Sequence, residues 1–81
     1  MEISVHFYSF LKEITGCDHL VETMPEGSTL YDLFQKLGSR FSRLRIMEKS
    51  ILMAVGVDYQ KPDYVLRASD EVSFFPPVQG G

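Results

Sequence analysis

Apolar and polar positions alternate over residues 2–8, with Ile3, Val5 and Phe7 on one side and Ser4, His6 and Tyr8 on the other. A period of two with one apolar side predicts a strand buried on one face. Residues 9–15 break that alternation and predict a short helix, capped by Ser9 and stopped by Gly16. His19 to Thr23 predict a weaker second strand, and Pro25-Glu26-Gly27 a turn. The strongest signal comes next. Leu30, Leu33, Phe34, Leu37, Phe41 and Leu44 form a stripe at helical spacing. Thr29 and Asp32 have capping-box spacing at its start, with Ser28 as the alternative cap. Gly38 either ends this helix or is a weak spot that it tolerates. Residues 51–55 are nearly all apolar and predict a central strand. Residues 57–69 read as loop around Pro62, with room for one short edge strand, and residues 71–75 as the last strand.

One amphipathic helix packed across a mixed sheet accounts for this order, which makes the fold class α+β. If the first and last strands are central neighbours, the fold is the ubiquitin-like β-grasp. The strand order itself does not follow from the pattern. At 81 residues the expectation is a single domain over 1–81, with a flexible C-terminal Gly-Gly tail from residue 76.

Composition narrows the function classes. With one cysteine, Cys17, no internal disulfide is available, and no basic leader or long apolar run precedes the first strand. A cytoplasmic protein without a membrane span is expected. Net charge is −3, and the densest basic group, Arg40, Arg43, Arg45 and Lys49, is interrupted by Glu48. That reads as a solvated helix face rather than a nucleic-acid footprint. Cys17 near His19 lacks a third orienting residue for nucleophilic work, and His6, His19 and Cys17 lack metal spacing, so no metal site is expected. Asp18, Glu22, Glu26, Asp32, Asp58, Asp63, Asp70 and Glu71 are scattered as surface carboxylates are. None of these supports an independent enzyme.

The last residues, Phe74-Phe75-Pro76-Pro77-Val78-Gln79-Gly80-Gly81, carry the candidate chemistry. Each proline fixes its own φ and drives the residue before it into an extended conformation, so Phe75 and Pro76 should be extended. Six residues follow Phe75, and at full stretch they reach about 20 Å. Gly80 and Gly81 carry no Cβ and fit a slot too narrow for other residues. The reactive group would be the carboxylate of Gly81. Alternation also puts Tyr8 and Phe75 on the outward side of their strands. If those strands are neighbours, the two rings form an exposed aromatic patch at the root of the tail, a feature typical of interfaces.

This order, together with Val72-x-Phe74-Phe75-Pro76-Pro77-Val78-x-Gly80-Gly81, resembles the MoaD family, the small sulfur-carrying subunits of molybdopterin synthase. Val5-x-Phe7-Tyr8 with Leu11-x-Glu13-x-x-Gly16, Thr29-Leu30-x-x-Leu33, Met53-Ala54-Val55 and Asp70-Glu71-Val72 extend the likeness over nearly the whole chain. Two positions depart from it. Gly56 stands where the family often has Asn, and Ala68-Ser69 stand where it often has a glycine turn. The resemblance implies a non-catalytic, sulfur-donating small subunit with no bound cofactor. An E1-like, MoeB-like enzyme would use ATP to adenylate Gly81, and a sulfur donor would convert the adduct to a thiocarboxylate. The tail (Pro76, Pro77, Val78, Gln79, Gly80) would thread into a MoaE-like large subunit within a heterotetramer. There Gly81 would give sulfur to precursor Z, the cyclic pyranopterin monophosphate. The family pattern adds Tyr59 to Tyr8 and Phe75 as a hydrophobic contact with the partner. Sulfur carriage for thiamine or tRNA thiolation, a ubiquitin-like modifier joined through Gly81, and a plain binding module stand as alternatives.

Overall fold

The computed structural model describes residues 1–77. The strands are β1 (Glu2–Phe7), β2 (His19–Thr23), β3 (Leu52–Val55), β4 (Asp58–Tyr59) and β5 (Glu71–Phe75). The helices are α1 (Leu11–Thr15), α2 (Leu30–Arg40) and α3 (Ser42–Ile46), with a 3₁₀ turn at Glu48–Ser50. The sheet order is β2-β1-β5-β3-β4. β1 and β5 run parallel side by side, and every other neighbouring pair is antiparallel. A mixed sheet crossed by one main helix, with the first and last strands adjacent, is the ubiquitin-like β-grasp. β5 is the middle strand. β3 lies next to it and is paired on both sides, as expected of a central strand.

The alternation of β1 is realised in full: Ile3, Val5 and Phe7 are buried, as are Val72 and Phe74 beside them on β5. Leu30, Leu33, Phe34 and Leu37 of α2 close over this face, and the ring of Phe74 meets Phe7 at 5.7 Å and Phe34 at 5.8 Å. Each such side chain contributes about 1.5–3 kcal/mol through burial, so this layer holds the fold together.

Local signals set the ends of α2. Asp32 N–H donates to Thr29 Oγ1 (3.1 Å) and Thr29 N–H to Asp32 Oδ2 (3.0 Å), a complete capping box of about 1 kcal/mol. Gly38 lies inside the helix and is buried. A Cβ there would come within 3.2 Å of Arg45 Cβ, so glycine lets α3 approach closely. The stripe does not run on as one helix. At Phe41 the backbone turns to φ −122° and ψ 86°, and α3 starts anew, which buries Leu44 completely.

One correction concerns a serine. Ser9 does not cap α1. It sits at φ 57°, α1 starts after Phe10 with no side-chain cap, and only the Ser9 carbonyl accepts from Lys12 N–H. Gly16 does end the helix, at φ 78°, with its N–H on the Lys12 carbonyl. Ser69 takes φ 71°, the left-handed turn that the family's glycine would hold without strain. Gly56 opens the two-residue β3–β4 loop at φ 61°, a conformation that Asn also tolerates. Both departures from the family pattern thus fall on left-handed positions.

Candidate functional site

Opposite the helices, the sheet shows its other face. Cross-strand register places Ser4 beside Val21 and Glu71, and His6 beside His19 and Ser73. Across β5, Ala54 lies beside Ser73, and Leu52 beside Phe75. Ser4, Ser73 and Ala54 share the middle of this face with the His6 and His19 rings, and the large apolar side chains gather at the end where β5 stops. Tyr8 stacks on Phe75, with ring centroids 4.7 Å apart and planes 11° from parallel. Tyr59 meets the same ring edge-on at 6.2 Å.

The pairing has a simple backbone cause. β1 and β5 run parallel, with Phe7 opposite Phe74, and Tyr8 N–H donates to the Phe74 carbonyl at 3.2 Å. That holds Tyr8 level with Phe75, while the β3–β4 hairpin, with Tyr59 opposite Ala54, brings Tyr59 in from the other side. The three predicted aromatics therefore form one cluster. Tyr59 is 68% and Tyr8 43% exposed. The spare area belongs to no partner within the described residues.

Leu52 belongs to this row and escaped the sequence reading, because Ile51-Leu52-Met53-Ala54-Val55 conceals its alternation in a continuous apolar run. Its signal was register: Met53 and Val55 pack against the core, which turns Leu52 outward beside Phe75. Pro76 and Pro77 leave from this corner and are half-buried, so the arm begins against the body. Val78, Gln79, Gly80 and Gly81 lie outside the described residues.

Away from the row, two expectations change. Glu22 is no surface carboxylate. It is 7% exposed, faces α2, and accepts from Lys36 (3.0 Å) and Arg40 (3.1 Å). Lys36 also donates to the Thr23 carbonyl at 2.7 Å, which fastens the edge strand β2 to the helix. Arg40 in addition lies 5.0 Å above the Phe41 ring, so one cation of the basic group is engaged with the body. His6 and His19, distant in sequence, have ring centroids 4.7 Å apart, and His6 Nε2 is 3.2 Å from Glu71 Oε1. Among the described residues no three such side chains gather to hold a metal ion. Cys17 is half-buried, with Sγ 3.9 Å from Thr15 Oγ1. No helix of the described residues is long and apolar enough to cross a membrane.

A β-grasp body with an aromatic corner at the root of a Gly-Gly arm defines a class of small ubiquitin-like carriers. Comparison with known proteins agrees. The ThiS family model matches residues 5–81. The molybdopterin synthase sulfur carrier subunit of Escherichia coli is 33% identical over 81 residues, covering 98% of this chain and 99% of that protein. Among solved structures, SAMP1 from Haloferax volcanii superposes with a TM-score of 0.89 at 19% identity, with full coverage of both chains. The complex of subunits 1 and 2 of molybdopterin-converting factor from Helicobacter pylori gives 0.71 at 21%, again over both chains entire. At those identities the structures speak for the fold alone. The chain belongs to the ThiS family, and within it to the MoaD-type sulfur carriers.

Proposed function

We propose that this protein carries sulfur for molybdopterin synthesis on the carboxylate of Gly81. The observation that supports it best is the packed corner of Tyr8, Phe75 and Tyr59 at the point where the proline arm leaves. A docking surface there fixes the origin of the arm, so a partner bound to the row receives the tail at a defined place.

The chemistry follows from the terminal group. A carboxylate is ionised at neutral pH and a poor electrophile. An E1-like enzyme transfers AMP from ATP to the Gly81 oxygen and releases pyrophosphate. A sulfide-level donor then attacks the acyl carbon; the C–S bond forms and AMP leaves with the C–O electron pair. The resulting thiocarboxylate enters the large synthase subunit, gives its sulfur to the pterin precursor, and water restores the carboxylate. This chain supplies the reacting atom, the arm and the docking corner, while acid–base groups and nucleotide belong to its partners. The cycle runs in the cytoplasm, where ATP is available.

Intact mass tests this directly. After incubation with ATP, an activating enzyme and a sulfur source, the protein should gain the mass of one oxygen-to-sulfur exchange. Deleting Gly81, or adding one residue after it, should abolish that gain and leave thermal unfolding unchanged. An extended, untrimmed tail that still gained sulfur would overturn the terminal-carboxylate mechanism.

A further inference from the structure

Around the corner from the aromatic row, where the sheet meets the first turn of α2, lies a groove of about 350 Å³. Its floor is Phe34, Ile51 and Met53, the first two almost wholly buried. Tyr31 and Pro62 form the far wall, tied together by the Tyr31 N–H on the Pro62 carbonyl at 2.9 Å. Leu52 and Tyr59 form the near wall, and both also belong to the aromatic row. The groove is therefore a continuation of the docking corner.

Its chemistry selects the occupant. No buried side-chain nitrogen or oxygen among the described residues lacks a hydrogen-bond partner, so the floor makes no demand for a polar ligand. The polar lining is confined to the rim: Lys49, Glu48, which accepts from Gln35 Nε2 at 3.4 Å, and Gln60, whose N–H donates to the Met53 carbonyl at 3.0 Å. The volume sits at the lower end of the ligand-pocket range, about 300–1,000 Å³, a size suited to one large side chain. An apolar slot with a polar rim beside an exposed aromatic cluster is how interface anchors are received.

We infer that this groove takes an apolar, preferably aromatic, side chain of the large synthase subunit as a second anchor for the same complex. The inference rests on the docking reading above. A partner that covers Phe75 and Leu52 to receive the arm passes over the groove mouth, because Leu52 lies directly opposite Phe75 and also lines the groove.

The test is calorimetric titration of the protein with the large synthase subunit of the same organism. Tyr31→Asp places a carboxylate in the groove at a first-turn position where helices favour acids, so the fold should survive. It should weaken Kd by about tenfold or more, with Tyr31→Phe unaffected. Methyl NMR of the unsubstituted protein gives an independent readout: the Met53 and Ile51 methyls should shift on addition of the subunit. If Tyr8→Ala weakens binding while Tyr31→Asp does not and the Met53 methyl stays still, the groove is empty in the complex. That would overturn this inference and leave the docking reading intact. If neither variant weakens binding, the docking reading falls too. Shifts of the same methyls with rising concentration of this protein alone would assign the groove to a second copy and also overturn it.

Discussion

The two faces of the sheet are built from the same strands and differ in what covers them. On β5, Phe74 and Phe75 are identical side chains one residue apart. Phe74 is fully buried among Phe7 and Phe34, whereas Phe75 is half-buried between two tyrosines that both keep area in solvent. The helix-covered face is closed by apolar contact with α2. The open face carries Ser4, Ser73, Ala54 and two histidines in its middle and places its large apolar rings where the arm begins. A period of two in sequence has thus separated the packed core from the exposed aromatic row, with the boundary passing between adjacent residues.

Substitution at those two neighbours gives the largest expected difference. Phe74→Ala empties a site at the centre of the core and should lower stability by about 3–5 kcal/mol. Phe75→Ala removes a ring that water already reaches in part, and should cost about 1 kcal/mol or less. Urea denaturation of both variants checks this. Equal losses would mean that the open face is structural and that its exposure has no docking significance.

Binding should show the reverse order. Tyr8→Ala combined with Phe75→Ala removes the stacked pair and should weaken association with the large synthase subunit by about 2 kcal/mol or more, roughly thirtyfold. A surface substitution on the solvated side of α3, such as Arg43→Ala, should leave Kd unchanged. The separation of the faces would be broken by a variant pair whose unfolding midpoint falls as steeply as its affinity.

What sequence could and could not deliver follows from how far apart the determining residues are. The faces of β1 and α2 were legible because each side chain's direction is fixed by its own position in a local period. The capping box of Thr29 and Asp32 was legible for the same reason. The stacking of Tyr8 on Phe75 could be stated only conditionally, since it depends on a parallel pairing between the two ends of the chain. Glu22 was misplaced because residue type alone argues for the surface; its two cationic partners come from α2, 14 and 18 positions on by residue number. Leu52 was hidden in an apolar run, and Ser9 and Ser69 hold left-handed conformations that their type does not advertise. The break at Phe41 answers to packing of Leu44 against the core, which no stripe of apolar residues encodes.

The smallest effect concerns the loop that feeds both faces. Tyr64 O–H donates to Asp70 Oδ2 at 3.1 Å, and Arg67 N–H donates to the same oxygen at 2.8 Å, fastening the loop just before β5. Burial pushes the Tyr64 phenol above its ordinary value, and the hydrogen bond and charge of Asp70 push it further in the same direction. The folded state therefore holds this proton more tightly than the unfolded chain. Between the unfolded pKa, about 10, and the higher folded one, the unfolded chain has lost the proton that the folded protein keeps, so stability falls as pH rises. Below pH 10 the contribution is present in full. Tyr64→Phe removes the proton and the Tyr64 bond to Asp70, leaving the Arg67 N–H bond in place: it should be slightly less stable at pH 8, and its urea midpoint should decline less than that of the unsubstituted protein above pH 10. Parallel midpoint curves for the two proteins would show that the Tyr64 bond to Asp70 does not help to hold the loop.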